Sequence, residues 1–528
     1  MNAAPSTFRE SAYIVPGELS TEAITQNLLA LLPIRHHRIA RHKFTVLDTF
    51  DGRVRQAGAS LTRIGLDGAS TVKWQTAVGS DRFAIRMDRP VSFAWDLPDG
   101  PLKEEVASAV GPRRLLAQAE AEEQGALLEM VDDRGKAVAR LRIASGQARL
   151  PAAGSDWRPW PAMLTLTALR GYEGEYEGLL PVIASRPGIQ PCPEGPVGAI
   201  LRHLGASEPC DLSSPKLALD PAVRSDVGAR QIHLALLEIL VANEPGIRGN
   251  VDSEFLHDYR VAVRRTRSLL GQIREVFPAE VVEHFAGEFS WIGRLTGSPR
   301  DTDVLALALR EQRQEFDADD MNALIAFLAG AQQQQYERLV SALDSTRYQQ
   351  LLTDWRSFLD SPIPSAPQAA HAHNPLVATV SQRAWRLSKR IARRARAIDQ
   401  HTPAEQIHEI RIDAKKLRYL VDVAPPGYEP ADVKCILGAL KKLQRALGDF
   451  NDAHVQETML LDCGRGVSAA GGPSGALLTL GRLAERCRQR REHLRGEVIE
   501  KLSRFRAREV HKACKRAFKT PASAIDMR

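Results

Sequence analysis

The stretch Phe255-Leu256-His257-Asp258-Tyr259-Arg260-Val261-Ala262-Val263-Arg264-Arg265-Thr266-Arg267 returns later in the chain. There it reads Gln406-Ile407-His408-Glu409-Ile410-Arg411-Ile412-Asp413-Ala414-Lys415-Lys416-Leu417-Arg418. The shift from His257 to His408 is about 151 residues. Without a gap it also carries Arg294 onto Arg445, Gly297 onto Gly448 and Asp301 onto Asp452. Two blocks in one register mark a duplicated unit, and each copy has room for about four helices of ordinary length.

Wound at about 100° per residue, the first block is amphipathic. His257, Arg260 and Arg264 share a narrow sector, with Arg267 at its edge and Arg265 on the other flank. Phe255, Tyr259, Ala262, Val263, Thr266, Leu269, Leu270 and Ile273 lie opposite. His408, Arg411, Lys415 and Arg418 repeat the polar face. Solvated helix faces mix signs, because i,i+4 pairs of opposite charge stabilise and like charges repel. A cationic face that appears twice at one spacing points to an anionic partner.

The helix opening the second copy adds Arg383, Arg386, Arg390, Arg393 and Arg394 on one side. Arginine meets phosphate through a planar fork of donors and lysine as a point charge. A histidine inside such a cluster either donates to an anion or packs and caps its neighbours; its repetition at the head of both blocks favours the first.

The full chain has 528 residues and a formal net charge of +7, from 71 Lys plus Arg against 64 Asp plus Glu. Up to Gly205 there are about 24 basic and about 23 acidic residues, so nearly all the excess lies beyond. Arg383–Arg418 alone holds about 11 basic and about 4 acidic residues. Apolar residues at 44% and charged ones at 26% fit a globular protein and exclude a disordered or collagen-like chain. No apolar window reaches the length of a membrane span, and Met1–Glu10 lacks the pattern of a secretory signal, so a cytoplasmic protein is expected. The cysteines at 192, 210, 435, 463, 487 and 514 are scattered and form no C-x-x-C pair, so reduced thiols and no zinc site are expected.

Two linear polyanions fit paired basic helices: nucleic acid, and a polyanion without bases. Aromatic residues are only 6% and are not interleaved with the arginines, where base stacking would want them. No helix-turn-helix signature appears.

The first part of the chain has a different texture. Phe44–Leu47, Ser70–Trp74, Leu127–Val131, Ala137–Ile143 and Met163–Leu169 alternate as strands. Asp132–Gly135 reads as a hairpin turn. Thr21–Leu31 and Pro101–Val110 read as helices. This is an antiparallel α+β domain over residues 1–185. A Pro- and Gly-rich linker region over 186–221 follows, with a short helical piece at Val197–Leu204. The all-helical part covers 222–528, with repeats at 222–360 and 375–515 split by Pro362, Pro364 and Pro367. Gly464–Gly475 reads as a Gly-rich break between helices.

The two repeated blocks resemble the CHAD family, the conserved-histidine α-helical domain. So do Arg294–Val304, Leu443–Ala453 and Ser345–Leu352. The resemblance runs from about Ala222 to the C-terminal region. It implies two pseudo-twofold-related four-helix bundles and non-catalytic binding of inorganic polyphosphate along a basic groove between them. Targeting to polyphosphate granules is a further expectation. The binding residues expected are His257, Arg260, Arg264, Arg265, Arg267, Arg294, Arg300, Arg383, Arg390, His408, Arg411, Lys415, Lys416, Arg418, Lys441 and Arg445, with no cofactor.

The first domain resembles the CYTH family, a β-barrel or triphosphate-tunnel fold commonly fused ahead of CHAD. The matching residues are Asp48-Thr49-Phe50-Asp51, Ala57–Arg63 and Leu169–Glu175. An active tunnel of that family needs an early E-x-E-x-K strand, but Phe8–Pro16 offers only Glu10. Ala119–Gln124 carries acids where tunnel arginines are expected, and Thr62 stands where a basic residue is expected. The domain therefore reads as a degenerate tunnel without catalytic residues. Glu173, Glu175 and Glu177 read as surface acids at a strand end rather than metal ligands. The competing reading is a metal-dependent inorganic triphosphatase of the CYTH type.

Overall fold

The structure, a computed structural model, describes residues 9–15, 21–30, 32–66, 69–76, 82–151, 154–186, 188–206, 215, 217–220, 222–424 and 427–519. Phe8, Pro16, Leu31, Pro187, Cys210 and Pro221, used in the sequence reading, lie outside these. The chain divides into two compact units, Met1–Asp211 and Leu212–Arg528.

In the first unit nine strands form one antiparallel sheet: β1 (Glu10–Val15), β2 (Ile34–Asp48), β3 (Ala59–Leu66), β4 (Ala69–Thr76), β5 (Arg82–Met87), β6 (Leu116–Val131), β7 (Ala137–Arg149), β8 (Arg158–Ala168) and β9 (Gln190–Pro191). Their order is β5-β4-β3-β2-β6-β7-β8-β1-β9. The sheet curls until β4 faces β1, where Gln75 Nε2 donates to Glu10 Oε1 at 2.6 Å. Side chains, not a backbone ladder, make this closing contact.

Alternation sorts the two faces. Leu128, Leu141 and Leu166 pack outside under α1 (Thr21–Leu29), with Ile183 of the later helix Glu173–Ala184 in the same cluster. Thr62, Lys73, Arg142 and Thr165 point into the enclosed space. The helix α2 (Arg53–Gln56) is pinned by Asp48, which accepts from the N–H groups of Thr49 and Val54 at 2.7 and 2.8 Å. Asp51 accepts from Arg53 Nε at 2.9 Å and lies 3.4 Å from Nε of the fully buried Arg113. Burial raises the Asp51 carboxyl, but the charges of Arg113 and Arg53 and a hydrogen bond from Thr49 together hold it below its usual value. These aspartates of the CYTH-like segment thus anchor the chain around α2, and α3 (Pro101–Val110) packs against the same helix.

Three sequence readings change here. Glu173, Glu175 and Glu177 sit in the first turns of the helix α4 (Glu173–Ala184), not at a strand end. Carboxylates suit a helix N-terminus, where N–H groups are unpaired, and Glu173 Oε1 accepts from Gly171 N–H at 3.1 Å. Of the acids on β6, only Glu123 faces the enclosed space. Glu120 pairs with Arg149 at 2.6 Å and Glu122 with Lys43, on the opposite face of the strand. The residues from 186 onward are not a linker throughout. β9 pairs with β1, and α5 (Gly195–His203) packs on β1 and β8 through Ala199, Ile200 and Leu201.

The second unit is helical. The first copy contains α6 (Ser225–Arg248), α7 (Ser253–Gln272), α8 (Ala279–Leu295), α9 (Gly297–Glu311), α10 (Ala318–Leu343) and α11 (Thr346–Asp360). The second contains α12 (Leu376–Arg394), α13 (Ala404–Asp422), α14 (Pro430–Ala469), α15 (Ser474–Phe505) and α16 (Arg508–Lys519). Contacts close a ring of four in each copy: α6, α7, α8 and α11, then α12, α13, α14 and α16. One continuous core runs through both rings, from Leu236 and Phe289 to Leu443 and Phe518. The far ends of α9, α10, α14 and α15 share a smaller core that includes Leu305, Leu324, Leu460 and Leu480.

The copies differ at one junction. α8 and α9 are separate, because Pro299 has no N–H to bond the carbonyl of Leu295. The equivalent of Pro299 is Phe450, and α14 runs unbroken for 40 residues. α14 also runs through Gly464 and Gly466, so the expected break narrows to residues 470–473. Each helical glycine costs only about 1 kcal/mol, and Gly466 lets the Phe327 ring approach, since a Cβ there would meet it at 3.0 Å.

α6 and α7 approach closely at Gly246, where a Cβ would lie 2.2 Å from the Phe255 ring. Gly246→Ala is therefore expected to lower stability by about 1–3 kcal/mol. Gly438→Ala, with nothing within 4 Å of the added carbon, should gain up to about 1 kcal/mol. Thermal unfolding of the helical signal distinguishes the two; equal midpoints would contradict this packing.

Candidate functional site

The cationic helices owe their placement to their other faces. Asp252 caps α7, accepting from the N–H groups of Glu254 and Phe255 at 2.9 and 3.3 Å. Phe255, Tyr259, Val263 and Leu270 then enter the core. Tyr259 donates to the Tyr348 hydroxyl at 3.1 Å and Tyr348 donates to Glu244 at 2.8 Å. This buried chain ties α7 to α11 and α6 and fixes the rotation of α7. Ile407, Ile410, Ala414 and Leu417 do the same for α13. α7 and α13 are equivalent under the repeat, and they pack against each other. Equivalent elements meeting each other are what an approximate twofold axis produces.

At their junction Arg264 of α7 stands near Arg411 and Lys415 of α13, close enough for mutual repulsion. Burial pushes the Lys415 amine down to about 7, with Arg264 and Arg411 pushing the same way and Asp452 opposing. Burial and Arg264 likewise push Arg260 down to about 10, against Asp301. The Nε atoms of Arg264 and Arg411 are buried without a hydrogen-bond partner. Arg260 donates to the Gly293 carbonyl at 3.2 Å and to Thr296 Oγ1 at 2.9 Å. Arg411 lies 3.8 Å from Asp452. Arg260, Arg264 and Asp301 are the repeat equivalents of Arg411, Lys415 and Asp452. The junction is thus four cations balanced by two carboxylates, built twice from one pattern.

The other predicted residues fall into three groups. On one flank, Arg267 and Arg294 both donate to Ser290 Oγ, at 3.3 and 3.1 Å. Burial and Arg294 lower the Arg267 value. On the second flank, Arg265 lies 3.8 Å from Asp422 and over the Tyr419 ring, and Arg418 donates to Asp422 at 2.6 Å. Lys441 shares a separate recess of about 730 Å³ with Arg418, Tyr428 and Phe518, and Arg445 is exposed on α14. The third group is the α12 series. Arg390 and Arg394 both bind the buried Asp413, through Nε at 2.7 Å and Nη1 at 2.6 Å, and Arg394 also reaches Glu409 at 2.9 Å. Arg383 donates to Gln272 at 2.9 Å; burial lowers its value, with Arg274, Arg390 and Arg386 adding to the effect. Lys416 is lowered by burial in the same neighbourhood, where Asp413 opposes the arginines.

His257 is half-buried on the α7 polar face, one turn before Arg260, while His408 is exposed. His408 Nδ1 donates to Asn451 Oδ1 at 2.7 Å. With Nδ1 engaged, Nε2 carries a proton only in the imidazolium form, so His408 donates to an anion only as a cation. Arg300 is spent on structure: it donates to the Ser253 carbonyl at 2.9 Å and to Glu254 at 3.3 Å, bracing α9 against the start of α7. The sequence reading missed the carboxylates Asp301, Asp452, Asp413 and Asp422, and also Arg274, Ser290 and Asn451. The shift that pairs Asp301 with Asp452 was the available signal for the first two. Asp413 replaces Ala262 of the first copy, so no repeat marks it.

Residues 231–461 match the family model of the CHAD domain. Two curated relatives are uncharacterized proteins of Mycobacterium tuberculosis, from strains CDC 1551 / Oshkosh and ATCC 25618 / H37Rv. Each is 27% identical over 367 residues, which is 66% of this chain and 66% of the relative, just under two thirds of its length. Among solved structures, the chain is similar to the CHAD domain of the plant Ricinus communis. That match is 26% identical over 55% of this chain and 96% of that one, with a TM-score of 0.47. It is also similar to PptA from Streptomyces chartreusis, 16% identical over 53% and 100%, with a TM-score of 0.42. A further similarity is to a putative adenylyl cyclase from Hippeastrum described as having a dominant triphosphatase activity. It is 11% identical over 38% and 98%, with a TM-score of 0.25.

The folded Lys415 value, about 7, lies below the ordinary 10.5. The unfolded chain therefore holds more protons between these values, and stability rises with pH across that window. Lys415→Met is expected to raise the melting temperature of the anion-free protein near pH 7. The gap to the unaltered protein should narrow as pH approaches 10. A gap of constant size would show that Lys415 carries no such burden.

Proposed function

We propose that the helical unit binds inorganic polyphosphate, without catalysis, in a basic groove between its two copies. The observation carrying this reading is the junction of α7 and α13, where Arg260, Arg264, Arg411 and Lys415 crowd with only Asp301 and Asp452 to balance them. Crowded, partly desolvated cations are unfavourable by themselves and are relieved by an added anion. Arg267 with Arg294 on one side extends the positive series, which suits a linear anion better than a single phosphate. The CHAD domain at 231–461 supports the same reading. Within it, His257, Arg260, Arg264, Arg267, Arg294, His408, Arg411, Lys415 and Arg445 are the contacts. Arg265, Lys416, Arg418 and Lys441 flank them. Arg300, Arg383 and Arg390 position neighbours. Among the described residues no helix is long and apolar enough to cross a membrane.

The triphosphatase reading of the first unit draws less support. Glu10, the single acid left from the expected early motif, is engaged by Gln75 and by Thr167 at 3.1 Å. Phosphate release from tripolyphosphate with Mg²⁺ or Mn²⁺, abolished by a change at Glu10, would establish it instead. Nucleic acid is the remaining competitor, and direct competition between RNA and long-chain polyphosphate separates the two.

The double variant Arg260→Ala, Arg411→Ala is expected to weaken binding of long-chain polyphosphate at least tenfold. The far-UV circular dichroism should stay unchanged. The slope of log affinity against log salt should become shallower by about one to two units, because fewer counterions are released. Undiminished affinity in a folded double variant would remove the site from this junction.

A further inference from the structure

The first unit encloses a cavity of about 1430 Å³ on the inner face of its curled sheet, a size suited to an organic ligand. Its charges are nearly all neutralised. Arg55 is 3.1 Å from Asp48 and Arg140 is 3.2 Å from Glu129. Arg142 pairs with Glu123, and Arg202 with Glu194. Each arginine lining the cavity thus has a carboxylate of its own. Lys73, reaching in from β4, has no hydrogen bond or ion pair among the described residues. Its surroundings are Arg142, which repels it, and Glu123, which attracts it but is already held by Arg142; burial and Arg142 together hold its amine below the usual lysine range.

Glu10 completes the acidic side, held by Gln75 and Thr167. The rest of the lining is largely apolar, including Phe44, Ile64, Leu127 and Met163. Two further lining residues, His42 and Trp160, have buried ring nitrogens without a partner, Nδ1 and Nε1. Among the described residues, Lys73 is therefore the one cation of the lining without a carboxylate bonded to it, in a largely apolar chamber. A triphosphate would bring several negative charges against one unpaired ammonium and three carboxylates, Glu10, Glu123 and Glu194. A single negative charge on an apolar body satisfies Lys73 and lies against the apolar lining.

We propose that this cavity binds an organic monoanion, a carboxylate carrying an apolar chain, with its head group at Lys73. The site is separate from the helical junction and independent of the polyphosphate reading. Binding makes and breaks no covalent bond.

The test uses the full chain and decanoate below its micellar concentration, followed by calorimetry. Decanoate is expected to bind with one-to-one stoichiometry, and decanol, which lacks the charge, at least tenfold more weakly. Lys73→Gln should weaken decanoate at least tenfold with unchanged circular dichroism. The groove variant Arg260→Ala, Arg411→Ala should bind decanoate like the unaltered protein. A second readout needs no variant: decanoate should slow acetylation of Lys73, followed by mass spectrometry, more than that of exposed Lys43. The proposal is overturned by absence of decanoate binding, by equal binding of decanol, or by undiminished affinity in Lys73→Gln. It is equally overturned if tripolyphosphate with Mg²⁺ protects Lys73 better than decanoate does.

Discussion

Where α7 meets α13, burial brings Arg264 against Arg411 and Lys415, its own repeat equivalent. A helix pair with that surface does not associate for its own sake, since the polar faces repel and lose water together. Association is imposed from behind. Phe255, Tyr259 and Leu270 on α7, and Ile410, Ala414 and Leu417 on α13, belong to one continuous apolar core that spans both copies. Each fully buried side chain of this kind contributes about 1.5–3 kcal/mol, so a dozen of them outweigh the repulsion of a few half-buried cations. The Tyr259–Tyr348–Glu244 chain adds direction, because it admits only one rotation of α7.

The duplication is close in sequence but unequal in structure, and the inequalities are local in cause. Pro299 divides α8 from α9, whereas Phe450 lets α14 continue and carry its far end into the second core. Asp413 occupies the place of Ala262, so α12 can carry Arg390 and Arg394 where α6 buries Ile239 and Asn243. One buried carboxylate thereby converts an apolar helix contact into a charged one. An ion pair this enclosed is worth little net stability. Its effect is geometric: Arg390 and Arg394 are held on α13, beside Lys416. The two ends of the proposed groove are consequently unlike, with Ser290 gathering Arg267 and Arg294 at one and Asp422 gathering Arg265 and Arg418 at the other.

Periodicity made the helical unit legible, because a cationic face opposite Phe255, Tyr259 and Leu270 has only one sensible burial. The strands were legible for the same reason at period two. The identity of partners was not. Angular position on α7 puts Arg265 and Arg264 on adjacent sectors of one face, yet one lies over Tyr419 near Asp422 while the other is left crowded. Those outcomes depend on residues about 150 positions away, beyond any local pattern. Arg300 shows the same limit: its motif matched, and nothing local signalled that its guanidinium turns back to Ser253 and Glu254. The acids of β6 were read as one group, although alternation separates Glu123 from Glu120 and Glu122.

The two units treat charge in opposite ways, and their geometry explains why. Neighbouring strands place side chains opposite one another across a ladder, so a cation on one strand meets a partner on the next. Glu120 with Arg149 and Glu129 with Arg140 are such pairs between β6 and β7, while Glu123 and Arg142 reach each other along the same face from positions that are not opposed. A helix face has no opposite partner unless another helix supplies one, and at the α7–α13 junction the second helix is a copy of the first. Repeating a cationic face therefore doubles the positive charge without bringing its counter-charge. At this junction the surplus sits where duplication placed it, and Asp301 and Asp452, themselves duplicates, moderate it.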